Sequence, residues 1–112
     1  MVASIYIPHK GDIVWLDFDP QTGHEQKGHR PALCLSHYEY NKKTHLALFC
    51  PITSHIKGYP FEIPLTNHSI SGCILSDQIK SLDWKSRNCR FIEKAHNDEL
   101  DLVIEHIKLL ID

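Results

Sequence analysis

The chain has no run of about 18 apolar residues, which is what a helix needs to cross a bilayer. Its first residues, Met1 to Tyr6, carry no basic stretch followed by a long apolar core, so no signal peptide is expected. Its four cysteines stand at 34, 50, 73 and 89 with no Cys-x-x-Cys pair. That spacing argues against zinc ligation and for free thiols in a reducing compartment. Nine histidines form no His-x-x-x-His or His-Glu-x-x-His pattern, so no metal site and no cofactor are expected. A net charge of −2 lacks the basic excess of a dedicated nucleic-acid binder. No repeat, linker or low-complexity segment is present, and the 112 residues are expected to form one domain, 1–112.

What is present suits a folded core. Apolar residues make up 42% of the chain, too many for a disordered segment. Charge is unevenly placed. Lys80, Lys85, Arg87, Arg90 and Lys94 fall within fifteen residues that hold only Asp83 and Glu93 as acids, whereas Asp98, Glu99, Asp101, Glu105 and Asp112 face Lys108 alone. A basic face beside an acidic helix fits this pattern, as do two solvated surfaces.

Ile13 to Phe18 mixes β-branched and aromatic residues before Asp19-Pro20 and reads as a strand closed by a turn. Gln21 to His29 is a polar loop. Ala32 to Ser36 is a strand, Asn41 to Thr44 a hairpin turn, and His45 to Cys50 the next strand, ending or bending at Pro51. Ser54 to Tyr59 is a second polar loop. Phe61 to Leu65, with Pro64, is an edge or bulged strand. Cys73 to Ser76, Gln78 to Leu82 and Cys89 to Glu93 are further strands. Asn97 is the expected helix N-cap, and Leu100, Val103, Ile104, Ile107 and Leu110 then recur at helical spacing. Short strands with one terminal helix suggest a small, strongly bent sheet or barrel, mainly β.

Within Gly28-His29-Arg30-Pro31-Ala32-Leu33-Cys34-Leu35-Ser36, Arg30 precedes a proline and is therefore held extended where a loop becomes a strand. A guanidinium fixed there can grip a phosphate through two parallel hydrogen bonds, or form a surface ion pair with Glu25. Around it run Gly11-Asp12-Ile13-Val14-Trp15-Leu16-Asp17-Phe18-Asp19-Pro20, Gly23-His24-Glu25-Gln26-Lys27-Gly28, Pro51-Ile52-Thr53-Ser54, Lys57-Gly58-Tyr59-Pro60-Phe61-Glu62 and Asp77-Gln78-Ile79-Lys80-Ser81-Leu82-Asp83-Trp84. In this order and spacing the segments closely resemble the MazF/PemK family of toxin endoribonucleases, nearest its MazF branch, from about Ile5 to the terminal helix.

The resemblance implies an SH3-like barrel of the MazF/Kid/CcdB-like toxin fold and a homodimer. It implies a metal-independent, sequence-selective endoribonuclease that cuts single-stranded RNA in the cytoplasm, with no membrane contact. A MazE-like antitoxin would block the groove and, with the toxin, engage operator DNA. RNA supplies its own nucleophile, the 2′-hydroxyl, so cleavage needs only a proton acceptor, a cation for the crowded phosphoryl group and a proton donor for the leaving oxygen. The match places Arg30 and Thr53 on the family's principal catalytic positions and Glu25 as a supporting acid–base group. His29, Ser54, Lys57, Tyr59, Asp77, Gln78 and Lys80 are the candidate RNA contacts. The PemK branch has a catalytic arginine two residues before this aspartate, where Leu75 stands here. That weakens Asp77 as a catalytic group. His24 occupies a loop position that is often small in the family. Tyr59 is expected to be exposed, and Phe18, Trp15 and Trp84 to lie in the core. The alternative is a binding module on the same fold: a gyrase-poisoning toxin, or an autoregulator acting with its antitoxin.

Overall fold

The computed structural model describes residues 5–18 and 29–112. Among the described residues, seven strands and two helices follow in order: β1 (Asp12–Asp17), β2 (His29–Cys34), α1 (Tyr38–Thr44), β3 (Leu46–Thr53), β4 (Glu62–Pro64), β5 (Cys73–Leu75), β6 (Lys80–Asp83), β7 (Arg90–Lys94) and α2 (Asn97–Ile111). The strand order is β4-β5-β3-β2-β1-β7, with β6 also paired to β3. Every pairing is antiparallel.

The sheet bends at β3. Its first half, Leu46 to Phe49, pairs with β6, and its last two residues pair with β5. Pro51 lies between the two partners, so β3 runs through it instead of ending there, and the change of partner falls at this residue. Register explains the tolerance. Leu35 donates its N–H to the Leu48 carbonyl at 2.8 Å, and Ala32 stands opposite Pro51. The Pro51 nitrogen therefore faces away from β2, into the gap between β5 and β6, where a missing N–H breaks no rung. Pro64, by contrast, sits on the edge strand β4 as its ring demands.

Central strands are covered on both faces, which is why they read as continuous apolar runs. Ile13, Leu33, Cys50, Ile52, Ile63 and Ile74 pack with Val103 of α2. Val14, Leu16, Ala32, Cys34, Ala47 and Phe49 pack around Trp84 on the other face. Trp84 is in the core, as expected, whereas Trp15 and Phe18 are only half-buried.

Two local expectations need correction. Asn41 to Thr44 is not a hairpin turn but the last part of α1. Asn41, a turn former by habit, is fully buried. Its amide nitrogen donates to the Pro8 and Ser36 carbonyls at 2.8 and 3.0 Å, and its oxygen accepts from the Ser36 hydroxyl at 2.6 Å. Tertiary hydrogen bonds thus take the amide that a turn would have used. At the other helix the N-cap is His96, and Asn97 is its first helical residue. The Glu99 carboxylate reaches back to the His96 N–H at 2.9 Å, the reciprocal arm of a capping box. Val103 is buried and Leu100 and Ile107 pack against the core, but Leu110 is exposed.

Candidate active site

Arg30 and Thr53 meet through the sheet. The β2–β3 register pairs Ala32 with Pro51, and extending it by two residues brings Thr53 opposite Arg30 on one sheet face. Both side chains line two adjoining cavities. The first, about 410 Å³, is walled by Trp15, His29, Pro31, Ser54, Ile70 and Ser71 in addition to the shared pair. The second, about 480 Å³, adds His55, Lys57, Tyr59, Glu62 and Gln78. Arg30 and Thr53 are therefore the common wall of a two-part groove.

Each compartment has an aromatic fixed by a hydrogen bond. In the first, the rings of Trp15 and His29 stack with centroids 4.9 Å apart and 6° between planes. His29 Nδ1 lies 2.8 Å from Asp17 Oδ1. The Asn88 amide, and then His29, hold the Asp17 carboxyl below its ordinary range. An ionised Asp17 can accept a proton from Nδ1, and the neutral tautomer that carries this proton keeps a lone pair on Nε2. In the second compartment, Tyr59 donates its hydroxyl to Asp77 at 2.7 Å, and that bond raises the phenol's pKa.

The loop carrying Lys57 and Tyr59 is clamped by Glu62. Its two carboxylate oxygens accept the Lys57 and Gly58 N–H groups at 3.0 and 2.7 Å. Gly58 has φ +86°, which a side chain would strain. The hydroxyl of Thr53 accepts the His55 N–H at 3.0 Å. It is thus a strand-end turn hydroxyl, and its own proton is left to donate to a ligand oxygen.

Of the residues singled out from sequence, Arg30, Thr53, His29, Ser54, Lys57, Tyr59 and Gln78 line the groove. Tyr59 is half-buried instead of freely exposed. Asp77 is not a lining residue and acts on Tyr59. Lys80 stands 6.0 Å from the centre of the Phe18 ring and is likewise outside the lining. Glu25 and His24 lie outside the described residues. The basic stretch is not one free face, because Arg87 donates to the Asp17 and Phe18 carbonyls at 3.0 and 2.8 Å and Lys94 pairs with Asp12 at 2.5 Å. Trp15, Asp17, His55, Glu62, Ile70 and Ser71 are not among the residues that the sequence singles out. The alternation of β1 could have flagged Trp15, whereas nothing local marks Ile70 or Ser71.

Fold and site together define a class of small β protein: an antiparallel sheet bent about a shared strand, with a terminal helix and a groove beside an arginine–threonine pair. Comparison with known proteins narrows this. The family described as PemK-like, MazF-like toxin of type II toxin-antitoxin system matches residues 9–111. Endoribonuclease toxin MazF of Escherichia coli K12 is 44% identical over 110 residues, 98% of this chain and 99% of that one. The crystal structure of MazF from Deinococcus radiodurans superposes with a TM-score of 0.87 at 46% identity, covering 96% of this chain and 98% of that one. A MazE–MazF crystal structure from the same organism superposes at 0.85 with 42% identity, covering 96% and 97%. The chain belongs to the PemK-like, MazF-like family of type II toxin–antitoxin toxins. Among the described residues, no helix is long and apolar enough to cross a membrane.

Proposed function

We propose that this chain is a single toxin domain and a cytoplasmic endoribonuclease, and that it cuts single-stranded RNA at the Arg30–Thr53 wall without a metal ion. The observation that carries the reading is that these two residues are shared by both halves of the groove. A strand laid along it places one phosphodiester on the wall and a nucleotide in each compartment. The 2′-hydroxyl attacks its own phosphorus, forming the P–O2′ bond while the P–O5′ bond breaks. The products are a 2′,3′-cyclic phosphate and a 5′-hydroxyl, the leaving O5′ taking its proton from water.

Arg30 stabilises the charge that builds on the phosphoryl oxygens, and Thr53 donates to one of them. Arginine stays protonated in proteins and cannot take the 2′ proton. Glu25, on the family pattern, and the lone pair of His29 Nε2 are the two candidate acceptors. Trp15 and Tyr59 offer faces on which bases stack, and Lys57 contacts the backbone.

The MazE–MazF crystal structures support a MazE-like antitoxin as partner; on the family resemblance the toxin is a homodimer, the antitoxin competes with RNA for the groove, and the pair engages operator DNA together. Purified protein incubated with end-labelled RNA in excess chelator tests the reading. Discrete fragments with 5′-hydroxyl ends are expected. Intact RNA would overturn it in favour of a binding module, and activity only with added magnesium would overturn the metal-independent mechanism.

A further inference from the structure

A second polar cluster lies away from the Arg30 wall, where the 66–71 loop meets β7 and the start of α2. Its centre is His68, whose side chain is fully buried. His68 Nδ1 is hydrogen-bonded to the Glu93 carboxylate and its Nε2 lies 2.7 Å from Glu99 Oε1. The His96 ring stacks on it, centroids 4.2 Å apart. Ligand atoms of His68, His96 and Glu99 all lie within 4.8 Å of one another.

We propose that His68 Nε2, Glu99 and His96 form a binding site for a divalent transition metal of the zinc class, with Glu93 orienting His68 from behind. Two imidazoles and a carboxylate, with a fourth position left to water, are the donor set such an ion takes. A carboxylate on the far nitrogen of a ligating histidine fixes its tautomer and raises its basicity. Glu93 already occupies that place. The charge also fits. Two carboxylates flank one imidazole, and the ion replaces the proton that His68 and Glu99 share, releasing it to solvent.

The geometry requires small movements. Tetrahedral ligands about 2.0–2.1 Å from zinc stand about 3.3 Å apart, so the His68–Glu99 contact opens by roughly half an ångström. The exposed His96 ring turns, giving up its Nε2 bond to the Thr66 carbonyl at 2.9 Å. Sequence spacing hides the set because its ligands come from a loop and from both sides of a helix start. The ion would tie down the loop that supplies Ile70 and Ser71 to the groove. It takes no part in cleavage.

Tag-free full-length protein, dialysed against chelator and titrated with zinc chloride and separately with cobalt(II), tests the assignment. One zinc per chain is expected, with the visible bands of tetrahedral cobalt and no sulfur-to-metal charge transfer. His96→Ala removes an exposed side chain without touching the core, and Glu99→Gln keeps the cap's shape. Each should weaken zinc binding at least about tenfold, and Glu93→Gln by about 10- to 100-fold. Zinc should also slow hydrogen exchange of the 66–72 amides in the parent protein only. No zinc binding, cysteine-type cobalt spectra, or unchanged affinity in His96→Ala and Glu99→Gln would each refute the site.

Discussion

Replacing Arg30 with alanine separates chemistry from folding. The residue is exposed on β2 and belongs to neither buried cluster, so its truncation removes no core packing. Its contribution to cleavage is of another kind. Removing one preorganised donor from a transition-state oxyanion costs roughly 2.7–4 kcal/mol, or about 100- to 1,000-fold in rate. Arg30→Lys keeps the charge and loses the two-pronged fork, so it should remain poor. Thr53→Ala removes one hydrogen bond to a charged oxygen, about 1.5–3 kcal/mol, which corresponds to roughly 10- to 100-fold. Because both groups act on one phosphoryl centre, the double variant should lose less than the sum of the two. The assay is single-turnover cleavage of a labelled RNA, with urea unfolding run on the same samples. Arg30→Ala cutting within threefold of the parent, at equal stability, refutes the role given to it.

Further outcomes follow from neighbouring contacts. A Cβ on Gly72, whose φ is +136°, would sit 2.4 Å from the Thr53 carbonyl oxygen, so Gly72→Ala should lower both the melting temperature and the cleavage rate, and parent-like values for both contradict the packing. The N–H groups of Lys57 and Gly58 hold the Glu62 carboxyl below its ordinary 4.5. A depressed folded value means that this clamp is intact above that pH and is lost as pH falls through the folded value, so the Lys57 and Gly58 amide shifts should titrate together below 4.5 and stay flat in Glu62→Gln. Phe49 is fully buried, and Phe49→Ala should cost about 3–5 kcal/mol, seen as a lower urea midpoint at unchanged slope.

Arg30 and Thr53 were legible through the family resemblance, which places both on catalytic positions; the local signal was only that a pre-proline arginine is held extended where a loop becomes a strand. Strand positions were readable wherever apolar runs were bounded by polar loops. The errors share a cause. Asn41 and Pro51 carry strong local preferences, for a turn and for a strand end, and tertiary context overrode each: a buried amide network at Asn41, a gap between partner strands at Pro51. The remaining wall of the groove, Ile70 and Ser71, and the His68 cluster depend on loop closure across the sheet, which no spacing along the chain records. The basic stretch misled in the same way, since Arg87 and Lys94 are used inside the fold.

In the proposed reaction the substrate provides the nucleophile, and the protein takes its proton and stabilises its attack. An RNA containing one 2′-deoxynucleotide on the 5′ side of the scissile phosphate tests this most directly. This oligonucleotide should bind with nearly the affinity of the all-RNA strand, lose affinity with salt through counterion release, and stay uncut. Cleavage of the deoxy-substituted strand at a rate comparable to RNA would contradict the proposed reaction.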